Sequence, residues 1–271
     1  MTGHASEHRE IEHRDVELVL SRGGADTVDV RFRTAAGGDL DGLYALSRPF
    51  MTSGALIPRD REFFGEHAEE LFVLEAGGDL AGCAGLSRVG DTAEIYNVAV
   101  TAQWQGLGLG RILLACMVGA ARREGYAEVV LFSRTTTGWF ARQGFTPADP
   151  AVLPAGRLSL LDASRESTLL RRTIPPLGSG EVLEALTAPR VRFARTGDEY
   201  EWDWEDDSLL RFAEGRDVEV ESLCWAGVCG TCATGLKQGS VVYHMAPDVE
   251  PDNGEVLLCV SQPATDLVVD L

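Results

Sequence analysis

No apolar run in this 271-residue sequence approaches the roughly 20 residues needed to cross a bilayer. Residues 1–14, polar and carrying three His, lack the hydrophobic stretch of a secretory leader. The chain is therefore expected in the cytoplasm, with no membrane partner. Basic residues are scarce as well: 24 Lys and Arg stand against 42 Asp and Glu, a formal net charge of −18. Nucleic-acid phosphates need clustered cations, so nucleic acid is excluded as a partner. The acidity suits a basic protein partner, or serves solubility alone. The Rossmann fingerprint G-x-G-x-x-G does not fit anywhere, the Gly-Lys-Ser/Thr of a P-loop is absent, and no internal repeat is visible. Cysteine numbers only 6. Cys83 and Cys116 lie in apolar context and read as core residues. The other four are grouped towards the C-terminus, and in a reducing compartment thiols at motif spacing are metal ligands rather than disulfides.

What is present suits two globular domains: 45% hydrophobic and 24% charged residues over a length that divides into units of roughly 100–200 residues. Residues 1–27 read as a tail or a weakly structured segment. From 28 to 174 strands and helices alternate as in one α/β (α+β) domain. Strands are predicted over 28–32, 70–75, 82–86, 93–100 and 129–133, and helices over 40–50 (with Asp39 as its cap), 108–124 and 139–143. Pro175-Pro176 and Gly178-Ser179-Gly180 then mark 175–189 as a linker. In 190–271, paired strands over 191–194 and 199–203, a short helix over 208–214 and closing strands over 241–243 and 267–271 complete a second domain.

Between the strand ending at Val100 and the long helix lies Gln105-Gly106-Leu107-Gly108-Leu109-Gly110-Arg111. N–H groups at a helix start are unpaired and sit at the positive end of the dipole, so glycines there let a diphosphate approach closely. Gln105, Gly108 and Gly110 meet the pattern Q/R-x-x-G-x-G/A, and here the chain resembles the GNAT acetyltransferases. The resemblance implies acetyl-CoA as co-substrate, its diphosphate held by Gln105, Gly106, Gly108, Gly110 and Arg111. It also implies a splayed preceding strand, with backbone near Asn97 and Val98 at the thioester and Val100 at the pantetheine arm.

Further motifs, Ser47-Arg48-Pro49-Phe50, Gly54 to Arg59, Trp139 to Phe145, Leu153-Pro154 and Ser164 to Ser167, follow in one order. Across roughly residues 28–172 they are similar to the acetyltransferase domain of N-acetylglutamate synthases, enzymes of arginine biosynthesis. A dicarboxylate acceptor calls for cationic, preferably forked, donors. The resemblance puts Arg59, Arg165 and Ser167 in that role. An α-ammonium must lose a proton before it attacks a thioester, and Glu94 matches the family's general base. Many relatives protonate the departing thiolate with a Tyr in the short helix. Here Trp139-Phe140 stand there, and Ser133, at the end of the preceding strand, matches the general acid of the synthase branch. Asn97 stands where the family commonly has a small or sulfur-bearing residue, which leaves another amino acid open as acceptor.

Cys224, Cys229 and Cys232 are spaced C-x4-C-x2-C, with Cys259 downstream, the ligand spacing of a plant-type [2Fe–2S] cluster. Four Cys also hold zinc, although zinc sites usually come as two C-x2-C pairs. From 191 to 271, including the ending Cys259-Val-Ser-Gln-Pro, the chain resembles plant-type ferredoxins. That implies a β-grasp fold and a potential near about −400 mV. No flavin or nicotinamide domain accompanies it, so electrons would come from a separate ferredoxin reductase or other redox protein. Residues 190–271 hold 17 acidic and 6 basic residues, a surface that would steer a basic partner. Trp225, where a polar residue is common, would shield the cluster or take part in docking. The expected protein is a GNAT N-acetyltransferase for glutamate or a similar acidic amino acid, fused to an electron-transferring or redox-sensing module. The alternative is an electron carrier whose GNAT fold is a non-catalytic, CoA-binding scaffold.

Overall fold

The computed structural model describes residues 15–24, 26–159, 163–174 and 186–271. In chain order its first half runs β1 (Val16–Ser21), β2 (Thr27–Thr34), α1 (Leu40–Thr52), α2 (Arg61–Glu66), β3 (Leu71–Ala76), β4 (Asp79–Val89), β5 (Thr92–Val100), α3 (Leu109–Arg123), β6 (Glu128–Ser133), α4 (Thr137–Arg142), β7 (Thr146–Pro147), α5 (Ala155–Leu158) and β8 (Thr168–Thr173). The second half adds β9 (Arg190–Phe193), β10 (Glu199–Glu201), α6 (Leu209–Glu214), β11 (Ala233–Gln238), β12 (Val241–Tyr243), β13 (Glu255–Leu257), β14 (Ser261–Pro263) and β15 (Leu267–Val269). Among the described residues no helix is long and apolar enough to cross a membrane.

The near-continuous apolar run of β3 has a simple cause: both faces of its sheet are covered. Phe72, Leu74 and Ala76 face the core built on α3, whereas Leu71 and Val73 face the one built on α1 and α2. Helix α3 is buried over almost its whole circumference, from Leu109 to Ala121. Its Ala, Leu and Met side chains permit both helix and close packing. Asp39 precedes α1 as expected but does not cap it. Its carboxylate instead accepts from Ala36 N at 2.7 Å and from Arg33.

Two expectations need correction. Residues 1–14 of the expected tail lie outside the described residues, yet Val16–Ser21 form an interior strand. It pairs with β2 from Val16↔Phe32 to Ser21↔Thr27 and, on its other edge, with β12 from Val19↔Tyr243 to Ser21↔Val241. Charged neighbours mask its short apolar alternation in the sequence. Strand β12 does not close the second sheet either: it joins β1 and β14. The result is a sheet in the order β14-β12-β1-β2-β3-β4-β5-β6-β8-β7 that runs through both halves of the chain. The second sheet, β10-β9-β15-β11-β13, pairs β9 parallel to β15 and packs with α6 in a β-grasp arrangement around Val191, Phe193, Trp202, Phe212 and Val256.

The expected linker falls outside the described residues from 175 to 185. Its last part is held firmly: Leu186 is buried, and Thr187 O accepts from Arg111 Nη2 at 2.5 Å. A sheet shared through the β1–β12 pairing joins the two halves.

Candidate active site and cluster loop

The site begins with a bulge. Between Cys83↔Ala99 and Gly85↔Tyr96 the register shifts, so β5 carries one residue more than β4. Asn97 absorbs it at φ 53, a left-handed conformation that Asn tolerates better than most residues. Its Nδ2 donates to Ser47 Oγ at 2.9 Å, which fixes the side chain in the buried interior. On its other edge β5 pairs with β6 at Ala93↔Val129 and Glu94↔Val130, and beyond that point the strands part. The opening is the splayed strand pair expected from sequence.

A cleft of about 610 Å³ fills the opening. Every residue expected to hold the co-substrate lines it: Val98, Val100, Gln105, Gly106, Gly108, Gly110 and Arg111. Gln105 Nε2 donates to Val100 O at 2.8 Å, which ties the loop to the strand end. Gly108 sits at the N-terminus of α3 with φ 88 and carries no side chain to cap the helix, so the helix start is left to a ligand's acceptors. Arg111 lines the cleft with both terminal nitrogens of its guanidinium already engaged. Nη1 donates to Gln143 Oε1 at 2.6 Å and Nη2 to Thr187 O, and burial brings its pKa down to about 10. It fastens α3, α4 and the segment before β9 to one another.

A smaller cavity of about 50 Å³ adjoins the cleft, and Leu56, Asn97 and Phe132 line both. Arg59, Glu94, Arg165 and Ser167 line it together, although 108 positions separate the first from the last in the sequence. Arg59 lies 3.7 Å from the ring centroid of Phe63 and 4.8 Å from that of Tyr96, and burial lowers its pKa. Arg165 Nη2 donates to Gly54 O at 3.3 Å, while its Nε is buried with no acceptor among the described residues. A guanidinium group lining a cavity suits a carboxylate. Ser133 lines the larger cleft rather than the smaller cavity. Its Oγ lies 3.0 Å from Thr136 Oγ1 and accepts from Thr136 N at 3.3 Å.

Sequence reasoning missed Arg157. Its Nε and Nη2 donate to the two oxygens of Glu94 at 2.6 and 2.7 Å, a forked pair in which the Glu94 side chain is 8% exposed. A carboxylate this buried demands a cation, but nothing in the spacing says which Arg supplies it. Arg134, which lines the smaller cavity, and Thr136, the partner of Ser133, were missed likewise. They follow the end of β6, and loop residues announce no direction in a sequence.

In the second half, Cys224 Sγ accepts N–H bonds from Ala226, Val228 and Cys229 at 3.4–3.5 Å. Those bonds, that of Ala226 foremost, and one from the Cys229 side chain lower its pKa to about 6. Trp225 and Gly227 hold positive φ, of 58 and 71, and a Cβ on Gly227 would stand 3.2 Å from Val260. Cys232 and Cys259 are buried and interact, and burial pushes the Cys259 thiol up to about 12. Among the described residues no three His, Cys, Asp or Glu side chains stand in a group that could hold a metal ion. The loop's fit to a cluster therefore rests on its four-thiol donor set and on N–H groups aimed at sulfur. Trp225 is 38% exposed with the Arg211 guanidinium 4.5 Å from its ring. Cys83 and Cys116 are core residues as expected, their thiols raised by burial to about 11 and 12.

Residues 40–145 match the model of the acetyltransferase (GNAT) family, and residues 191–264 that of the 2Fe-2S iron-sulfur cluster binding domain. An amino-acid acetyltransferase of Neisseria meningitidis is 38% identical over 130 residues, which cover 47% of this chain and 30% of that protein. One from Pseudomonas fluorescens is 31% identical over 144 residues, covering 52% and 33%. A solved N-acetylglutamate synthase from Neisseria gonorrhoeae, complexed with coenzyme A and N-acetyl-glutamate, superposes with a TM-score of 0.52 at 36% identity, over 54% of this chain and 35% of that one. The chain spans about a third of the length of these relatives.

Proposed function

We propose that this chain, which carries a GNAT acetyltransferase domain and a 2Fe-2S domain, moves the acetyl group of acetyl-CoA to the α-amine of an acidic amino acid, glutamate before others. The observation that carries this reading is the meeting of Arg59, Arg165, Ser167 and Glu94 on one cavity that opens into the co-substrate cleft past Asn97. Two guanidinium groups and a hydroxyl there supply what two carboxylates require, and a base stands beside them.

In the proposed reaction the diphosphate of acetyl-CoA rests on the N–H groups at Gly108 and the start of α3, and its pantetheine arm runs along Val98 to Val100. Glu94 takes a proton from the acceptor's ammonium. The freed amine attacks the thioester carbon, a C–N bond forms, and the C–S bond breaks. Ser133, with Thr136 as its hydrogen-bond partner, passes its hydroxyl proton to the departing thiolate and is restored by the second proton that the attacking nitrogen sheds, while Glu94 returns its proton to solvent. Arg157 holds both oxygens of Glu94, so proton uptake requires this pair to loosen.

Cys224, Cys229, Cys232 and Cys259 would hold the cluster, which supplies one-electron transfer when bound. A separate reductase or other redox protein is its proposed partner. The Glu94–Arg157 pair also favours a second reading, a CoA-binding scaffold with an occupied base. The two readings separate in a thiol-release assay. Purified chain with acetyl-CoA and a panel of amino acids should free CoA with acidic members and yield a product heavier by one acetyl group. Release with no member leaves the scaffold reading.

A further inference from the structure

The diphosphate loop has its front in the cleft and its back against the iron–sulfur half. Ser240, 2% exposed at the turn before β12, donates from Oγ to Leu107 O at 3.1 Å. That peptide lies between Gly106 and Gly108, so a residue of the second half holds the backbone that is to meet the diphosphate. Ser240 is itself held. Its N–H donates to Thr265 Oγ1 at 3.0 Å, and its carbonyl accepts from Ala264 N at 2.9 Å. Ala188, Thr265 and Asp266 line the cleft beside the GNAT residues. Asp266 Oδ1 in turn accepts from Arg190 N at 2.9 Å, which anchors that corner to the start of β9.

A short path leads from this corner to the cysteines. Residues 264–266 continue β14, whose first residue, Ser261, follows Cys259 by two positions. Strand β14 pairs with β12 from Val241↔Pro263 to Tyr243↔Ser261, and β12 pairs with β1 of the large sheet. Cys259, the residue that holds Leu107 and the wall of the cleft thus flank one hydrogen-bonded ribbon, the pair β12–β14.

We infer that Ser240 and Thr265 are positioning residues of the acetyl-CoA site, so that affinity for CoA depends on the ordering of the iron–sulfur half. The inference rests on the reading that the cleft takes CoA, but not on any acetyl acceptor. Coupling between sites is reciprocal in binding free energy. Whatever loosens the β12–β14 ribbon weakens CoA, and CoA steadies the ribbon. Asp266, an anion at the edge of a diphosphate site, adds that this corner limits affinity as well as shaping it.

The test is calorimetric titration of the full chain, cluster loaded, with CoA and with 3'-phospho-ADP, the part of CoA that carries the diphosphate. Ser240→Ala removes the bond to Leu107 O, and Thr265→Val removes the acceptor of Ser240 N while keeping its shape. Each should weaken both ligands by about 5- to 20-fold, the loss of one to two well-placed hydrogen bonds, while the visible absorption of the cluster stays that of the unaltered chain. Reciprocally, saturating CoA should raise the temperature at which that absorption is lost, by less in either variant. Affinities within twofold of the unaltered chain in both variants would overturn the inference, as would a variant that loses its cluster yet binds CoA normally. A chain that binds CoA in this pattern but acetylates nothing leaves the inference standing and removes the proposed activity. Transfer to amino acids with no change in CoA affinity does the reverse.

Discussion

An alanine at Gly108 tests the contact between the two halves with a built-in control. Gly108 and Gly106 both lie in the left-handed region, at φ 88 and φ 79. An L-residue there costs about 1–2 kcal/mol, so each substitution strains the loop to a similar degree. The surroundings differ. A Cβ at Gly106 would meet nothing within 4 Å, whereas at Gly108 it would stand 3.0 Å from Thr265 Cγ2 and 3.1 Å from Ser240 Oγ. Overpacking of this kind adds about 1 kcal/mol or more, because both neighbours are held in the β12–β14 ribbon. Gly106→Ala should therefore weaken CoA by about 5- to 30-fold, and Gly108→Ala by about 30- to 150-fold, each 1.4 kcal/mol being a factor of ten. Thr265→Ser removes the nearer methyl group. Added to Gly108→Ala it should restore about half of the extra loss, and added to Gly106→Ala nothing, a non-additivity expected only of residues in contact. Calorimetric titration with CoA reads all four chains. Equal losses at the two glycines, or the same response of both to Thr265→Ser, would refute the packing of the diphosphate loop on the second half.

Glu94→Gln should lower kcat by about 10²–10⁴-fold, the usual contribution of a general base, with Kd for CoA unchanged in titration. Cys232→Ser and Cys259→Ser should abolish the visible absorption of the cluster, while Cys83→Ser and Cys116→Ser, at buried sites remote from the loop, should keep it. Leu20 is 1% exposed in the strand shared by the halves, and Leu20→Ala should cost about 2–5 kcal/mol. Its thermal transition should fall by the same amount whether followed by far-ultraviolet dichroism or by cluster absorption.

Legibility in the sequence followed the range of each signal. The loop over 105–110 and the cysteine spacing are local, since glycines at a helix start and thiols a few residues apart carry their chemistry within a dozen positions. Strands β3 to β6 were readable because burial on both faces leaves apolar runs between turn residues. The non-local features were not. Strand β1 has four apolar residues among six, amid charge, and its partner β12 lies more than 200 residues away. Nothing in residues 241–243 tells which of two sheets they join. Glu94 is legible as a base from its place in the family pattern, but its partner Arg157 is brought to it by the position of α5 and not by spacing. Arg111, read as a phosphate ligand, proved to be an internal fastener because its partners Gln143 and Thr187 come from distant segments.

The central claim is that the small cavity recognises a second carboxylate on an amino acid. The direct measurement is kcat/KM for glutamate against glutamine, two acceptors of one length that differ by an amide in place of a carboxylate. A site built on Arg59 and Arg165 leaves guanidinium N–H groups unmatched by the amide, so a ratio of at least about 100 is expected. Equal values, or transfer to neither, would contradict the account.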